Sequence, residues 1–127
     1  MNENEISKIV FDAGLKVHRQ LGAGLLESAY EECLHFELKK SGLLIEKQKP
    51  MPLIYEDIKL DIGYRLDFLI ERKVVVEIKS VESLNDIHIA QILTYLKLSN
   101  CKLGLLINFN SVLFKNGVKS LINGTFE

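Results

Sequence analysis

Apolar residues recur at helical spacing in three segments of the chain, residues 5–21, 25–40 and 85–98. In the first segment these positions are Ile6, Ile9, Val10, Ala13, Val17 and Leu21. A spacing of three and four residues places such side chains on one face of a helix. The LGAG segment at 21–24 carries two glycines and is typical of a turn after a helix. The pattern therefore predicts two helices that follow each other closely and a third one later.

Between the second and third helices the apolar pattern takes the shorter period of strands. Residues 44–55, 58–70 and 73–79 predict a meander of three strands, with a turn at Glu71-Arg72. The run of three valines at 74–76 indicates a central strand that is covered on both faces.

A continuous apolar run at 103–109 predicts a strand after the third helix. A strand–helix–strand connection of this kind favours a parallel pair in an otherwise antiparallel sheet. We also expect a short strand at 112–115 and a weak helical turn within 116–127. The order predicts the α/β class, as a mixed sheet with helices around it.

Length, charge and cysteine usage narrow the class of protein. The chain has 127 residues, the size of one domain, and a net charge of −1. It lacks the basic excess of proteins that bind nucleic acid through many phosphate contacts, so such binding would need a local patch, a metal or an oligomer. The polar N-terminus is unlike a signal peptide. We expect a cytoplasmic protein with reduced thiols at Cys33 and Cys101.

Three charged residues interrupt the most apolar strands. Glu77 and Lys79 are two apart, so they project from the same face of one strand. Asp67 lies on the preceding strand, and a turn at Glu71-Arg72 places it across from about Val76. Two carboxylates beside an ammonium suit Mg²⁺, which prefers oxygen ligands, and an amine that orients or deprotonates water. The simpler interpretation is a surface salt bridge, but charges at central strand positions are costly unless they are paired or functional.

Two helices carry further polar residues that the fold would bring near this strand pair. Glu27 and Tyr30 share one face of the second helix, either as a third carboxylate and its neighbour or as a first-turn acid and a core aromatic. Gln91 and Tyr95 lie on one stripe of the third helix with His88. They bind the phosphate of a substrate or order Lys79, or else they form a polar margin that faces solvent.

Several blocks of the chain resemble the small GxxExxY proteins. GLLESAY at 24–30 matches the motif through Gly24, Glu27 and Tyr30. YRLDFLIERKVVVEIKSV, HIAQILTYLKL and LGLLINF resemble further blocks in the same order. That family is placed in the PD-(D/E)XK nuclease superfamily. The resemblance implies an αβββαβ core, here with an extra N-terminal helix, in one domain over 1–127.

The resemblance also implies metal-dependent hydrolysis of phosphodiester bonds. The motif carries over as Asp67, Glu77 and Lys79, with Glu27 as the acid of the first core helix; Leu66 stands where the motif's proline would be. It implies Mg²⁺, or Mn²⁺ in its place, held by Asp67, Glu77, Glu27 and the carbonyl of Ile78. Gln91, Tyr95 and Tyr30 would bind or orient the substrate, a nucleic acid.

Two other functions stay open at this level. One is a non-catalytic module on a nuclease-like fold that binds nucleic acid or protein. The other is a structural homo-oligomer in which the same charges form a buried ion-pair network. A homodimer also fits the nuclease, because pairing would supply a second active site.

Overall fold

The computed structural model describes residues 1–124, which form three α-helices, one 3-10 helix and two sheets. The helices are α1 (Glu3–Leu21), α2 (Glu27–Lys39) and α3 (Asp86–Ser99), and the 3-10 helix is Phe114–Gly117. The strands are β1 (Ile45–Pro50), β2 (Leu53–Tyr55), β3 (Ile58–Leu60), β4 (Arg65–Ile70), β5 (Val74–Lys79), β6 (Leu103–Asn108) and β7 (Val118–Ile122). Each predicted helix is present, with ends within two residues of the prediction.

Local sequence signals explain where two of the helices begin and end. Asn2 and Asn85 precede α1 and α3, and each accepts hydrogen bonds from first-turn amides in a capping box. The chain leaves α1 at Gly22, where φ is 71°, a conformation that glycine adopts without steric cost. Helix α2 has no side-chain cap, so tertiary contacts have to hold its first turn.

The main sheet has five strands in the order β1-β4-β5-β6-β7. β5 pairs antiparallel with β4 and parallel with β6, and the other pairs are antiparallel. The predicted parallel crossover and the central position of the valine-rich strand are therefore confirmed. Helix α2, strands β1, β4 and β5, helix α3 and strand β6 reproduce the αβββαβ order, and α1 is the extra N-terminal helix.

The two faces of this sheet bury separate groups of apolar residues. Helices α1 and α2 cover the face that carries Val74, Val76 and Ile78. Helix α3 covers the face that carries Val75. Because side chains alternate along a strand, Glu77 and Lys79 project towards the α3 side.

The predicted meander was wrong in its middle part. β2 and β3 pair only with each other and form a separate hairpin. The amide of Met51 donates to the carbonyl of Tyr64 at 2.8 Å, which ends the pairing of β1 with β4. Pro52 follows with no N–H, so it cannot donate to a further step of that ladder.

The C-terminal predictions were also wrong. Residues 112–115 form no strand, because Phe114 alone enters the core from a 3-10 helix, while Val112 and Leu113 stay exposed. The expected helical turn is strand β7, which pairs with β6. Hydrogen bonds with the buried β6 stabilise this short edge strand. The apolar pattern of residues 118–122 does not indicate that pairing. Residues 125–127 of that prediction lie outside the described residues.

Over residues 1–124, no helix combines the length and the apolar character that crossing a membrane requires.

Candidate active site at the end of β4 and β5

The two acids end the pairing of β4 with β5. The last backbone pair is Phe68 with Val76, so the next step sets Asp67 opposite Glu77, one residue from the predicted partner Val76. At this step the side chains of Asp67 and Glu77 take the place of the backbone hydrogen bonds between the two strands. The Asp67 amide donates to Glu77 Oε2 at 2.8 Å, and the Ile78 amide donates to Asp67 Oδ2 at 2.8 Å. Each carboxylate is thus held by the backbone of the opposite strand.

Burial makes this acid pair electrostatically costly. Glu77 is only 5% exposed, and burial, followed by the charge of Asp67, raises the pKa of Glu77 to about 8. Burial also raises the pKa of Asp67, against the hydrogen bonds from Ile78 and Gln48. Among residues 1–124, no ion pair joins either acid to Lys79. The site therefore holds two carboxyl groups for which the negatively charged form is costly, and no ion pair of the described residues offsets that cost.

Lys79 lies at the rim of the same site. It is half-buried at the end of β5, and its Nζ is 3.4 Å from Oε1 of Gln91 on α3. Its positive charge lowers the pKa values of Asp67, Glu77 and Glu27, although burial outweighs this effect in all three. Gln91 is therefore within hydrogen-bonding distance of Lys79, and its role in ordering that lysine stays a prediction.

Glu27 reaches the site from the start of α2. It is exposed, yet desolvation by its surroundings raises the pKa of its carboxyl, and the neighbouring charges are those of Lys79, Asp67 and His88. The structure therefore brings Glu27 to the same patch as the strand residues, from the opposite side of the sheet edge.

Tyr30 lies in the core behind Glu27. Its hydroxyl donates to the carbonyl of Gly22 at 2.6 Å and accepts the amide of Leu25 at 3.1 Å, and its ring stacks on Phe109. Ser80 Oγ donates to the carbonyl of Leu25 at 2.6 Å, which ties the same loop to the residue after Lys79. Tyr30 therefore holds the loop that leads into α2 and to Glu27.

Tyr95 belongs to α3 and lies near the acids. Its side chain is buried, and burial and then the charge of Glu77 raise the pKa of its hydroxyl. Its ring centroid is 6.4 Å from that of Tyr64. Gln91 and Tyr95 both line a cavity of about 340 Å³ next to the site.

Two polar residues at the site were missed by the sequence analysis as functional candidates. Gln48 Nε2 donates to Asp67 Oδ1 at 3.2 Å and to Glu31 Oε1 at 2.6 Å. Burial raises the pKa of the Glu31 carboxyl, against the hydrogen bond from Gln48. Glu31 follows Glu27 by four residues, a spacing that could have indicated it. No sequence signal indicated Gln48.

The donor set fits a small divalent cation. Mg²⁺ is held by one or two carboxylates, with waters and substrate phosphate completing its ligands. The amide and carbonyl of one strand residue point to the same side. The Ile78 amide faces Asp67, so its carbonyl also faces the acids. Over residues 1–124, no group of three or more acid, histidine or cysteine side chains forms a ready cage. The site therefore fits a cation that takes some of its ligands from the protein and the others from water and the substrate.

Comparisons with known proteins agree with this geometry. The family profile of the PD-(D/E)XK nuclease superfamily matches residues 4–121, which include all the site residues named above. Searches of curated proteins and of solved structures find no match. Enzymes of this superfamily generally use divalent metals and act on nucleic acid. The chain belongs to the PD-(D/E)XK nuclease superfamily.

Proposed function

We propose that the protein is a Mg²⁺-dependent nuclease that hydrolyses phosphodiester bonds of DNA or RNA, with Mn²⁺ as a substitute metal. The observation that carries the proposal is the pair of half-buried Asp67 and buried Glu77, which form no ion pair with a cation of the described residues, with Lys79 at the rim. A divalent cation would offset that cost, and a nucleic-acid phosphate would complete its ligands.

The ligands we assign are the carboxylates of Asp67 and Glu77 and the carbonyl of Ile78. Glu27 is exposed and lies across the sheet edge, so we assign it to a contact through water. When bound, a divalent cation neutralises charge on the phosphodiester and lowers the pKa of water. Asp67 and Glu77 are already fixed by backbone amides, so they need little rearrangement to bind.

Lys79 acts on the water or on the developing charge at phosphorus. Gln91 restrains its ammonium through the 3.4 Å contact, which keeps the amine directed along the rim. Tyr95, beside Glu77, is assigned to substrate contact. We assign Tyr30 an indirect orienting role, because its hydroxyl is used by the loop before Glu27.

We also place the chain in the GxxExxY group, through Gly24, Glu27 and Tyr30. The supporting observation is that the tyrosine of this motif holds the loop that presents its glutamate. That the chain acts as one domain, and that it forms a homodimer, both stay predictions. Light scattering after size-exclusion chromatography would check the second.

The test is cleavage of a panel of DNA and RNA substrates with Mg²⁺, Mn²⁺ or EDTA. We expect Lys79→Ala to lower the rate by about 10²–10⁴-fold, the range for loss of a general acid or base. Lys8→Ala, on an exposed face of α1, is the matched control and should retain full activity. Equal rates for wild type and Lys79→Ala on every substrate would refute the role of Lys79.

The near-neutral net charge favours one alternative, a non-catalytic binding module on this fold. Calorimetric titration with Mg²⁺ and with Mn²⁺ separates the two functions. If the protein is a nuclease, it should bind the metal, and Asp67→Asn should weaken that binding. If it is a non-catalytic module, it should bind no metal at millimolar concentration.

A further inference from the structure

A cavity of about 340 Å³ lies between α3 and the chain around the β2–β3 hairpin, and Gln91 and Tyr95 separate it from the candidate active site. Tyr64 and Leu53 form one side, and Ile87, Thr94 and Tyr95 lie on the α3 side. Gln91 also lines the cavity, and its Oε1 is 3.4 Å from Lys79 Nζ. One side chain therefore separates the cavity from the group that acts at the phosphate.

The lining is uncharged and consists of two tyrosines, the polar Gln91 and Thr94, and the aliphatic Leu53, Ile87, Ala90 and Leu98. The Tyr64 and Tyr95 rings are 6.4 Å apart, Tyr64 is 43% exposed and Tyr95 is buried. Gln91 and Thr94 add side-chain hydrogen-bonding groups at the walls. This is the composition that stacks on a planar base and reads its edge.

Charges nearby do not favour a duplex. None of the lining residues is charged, so binding in the cavity rests on stacking and hydrogen bonds rather than on phosphate contacts. A duplex is gripped mainly through many cationic contacts with its phosphates. A base inside a duplex is also paired and stacked, so it cannot enter the cavity without being unpaired.

We propose that this cavity binds an unpaired nucleobase next to the cleaved phosphate, so that the substrate is single-stranded or unpaired DNA or RNA. The inference rests on the proposed function, since the acids and Lys79 fix where the phosphate lies. Tyr64 supplies the accessible stacking face, and the buried Tyr95, inclined at 60° to it, supports that ring from the wall of the cavity.

The experiment measures binding without cleavage. In the full-length Glu77→Gln background and EDTA, fluorescein-labelled oligo(dT), oligo(rU) and a blunt DNA duplex, each about twelve nucleotides long, are titrated by fluorescence anisotropy. We expect both single strands, or one of them, to bind at least about tenfold more tightly than the duplex, with the difference between dT and rU identifying the sugar.

Tyr64→Ala should weaken single-strand binding by about 5- to 150-fold, the range for loss of one stacked base, while Tyr64→Phe keeps it within about twofold. Tyr55→Ala, at an exposed hairpin position outside the cavity lining, is the matched control and should bind as its parent does.

The proposal is overturned if Tyr64→Ala binds as its parent does, if the duplex binds equally well, or if neither single strand binds. These results are independent of catalysis. If Tyr64→Ala weakens single-strand binding but the wild type cleaves no substrate, the base-binding cavity is supported and the nuclease function is refuted. If the wild type cleaves duplex and single strand alike and Tyr64→Ala does not change either rate, the nuclease function is supported and the base-binding cavity is refuted.

Discussion

At the scale of single residues, Glu77 is the most constrained group of the site. Its carboxyl lies in a buried strand, 5% exposed, with Asp67 beside it, and its pKa is raised from 4.5 to about 8. Between these values the folded chain keeps a proton that the unfolded chain has released. Stability without metal must therefore fall as the pH rises through this window.

The first prediction concerns this dependence in EDTA. We expect Glu77 alone to lower the free energy of unfolding of the wild type by up to about 1.4 kcal/mol per pH unit between about pH 5 and pH 8. The raised pKa values of Asp67, Glu27 and Glu31 act in the same direction. Glu77→Gln should flatten the slope and be the more stable protein at pH 8. Urea unfolding at a series of pH values measures both.

Glu82→Gln, at an exposed position after β5, is the matched control and should keep the wild-type slope. Mg²⁺ added at pH 8 should raise the melting temperature of the wild type and not that of Glu77→Gln, because a ligand stabilises only the state that binds it. A slope unchanged by Glu77→Gln would show that Glu77 is not the titrating group.

At the scale of elements, β1 is distorted where it passes the site. Lys47 and Lys49 pair with β4, but Gln48 between them forms no backbone pair with Asp67 and has a φ of 51°. A residue with a side chain rarely adopts this conformation, and the cost is about 1–2 kcal/mol. The distortion accompanies the hydrogen bonds of the Gln48 amide to Asp67 and Glu31.

The second prediction compares two truncations of Gln48. Gln48→Gly should be about 0.5–1 kcal/mol more stable than Gln48→Ala, because glycine tolerates the positive φ. Both variants lose the amide that positions Asp67, so we expect cleavage to fall by about 10- to 100-fold in each. Urea unfolding and the cleavage assay measure the two effects separately.

The same pair of substitutions at Lys49, where φ is not positive, should give the opposite order of stability, with alanine above glycine. If Gln48→Ala proves as stable as Gln48→Gly, the backbone at Gln48 is not strained.

At the scale of the whole molecule, the β2–β3 hairpin is an appendage to the sheet. It pairs only with itself, and the Met51–Tyr64 hydrogen bond closes its base. Ile54, Tyr55 and Ile58 are largely exposed on it, so it adds little to the core.

The third prediction replaces residues 52–63 with Asn-Gly, a two-residue turn that suits the Met51–Tyr64 pair. The five-stranded sheet should fold, with a melting temperature within about 5 °C of the wild type, as a loss near 1 kcal/mol implies. Single-strand binding should weaken, because the cavity loses the wall at Leu53. Circular dichroism and the anisotropy assay report on these outcomes. Loss of cooperative unfolding would show that the hairpin is part of the core.

The sequence by itself determined the order of the main elements and the neighbouring positions of Asp67, Glu77 and Lys79. The backbone sets the periods of helices and strands, so the apolar pattern predicted the three helices and the buried strands. The period of two likewise places Glu77 and Lys79 on one face wherever the strand lies. Asp67 was located to within one residue, because the turn at Glu71-Arg72 is local.

Tertiary structure decided what depends on partners distant in the chain. β7 is a strand because β6 pairs with it, Gln48 matters because β4 sets Asp67 beside it, and the Tyr30 hydroxyl is bound by a loop that Ser80 also holds. Hydrogen bonds and burial between distant segments leave no period in the sequence. The raised pKa of Glu77 follows from the same cause, since only the packed sheet removes that carboxyl from water.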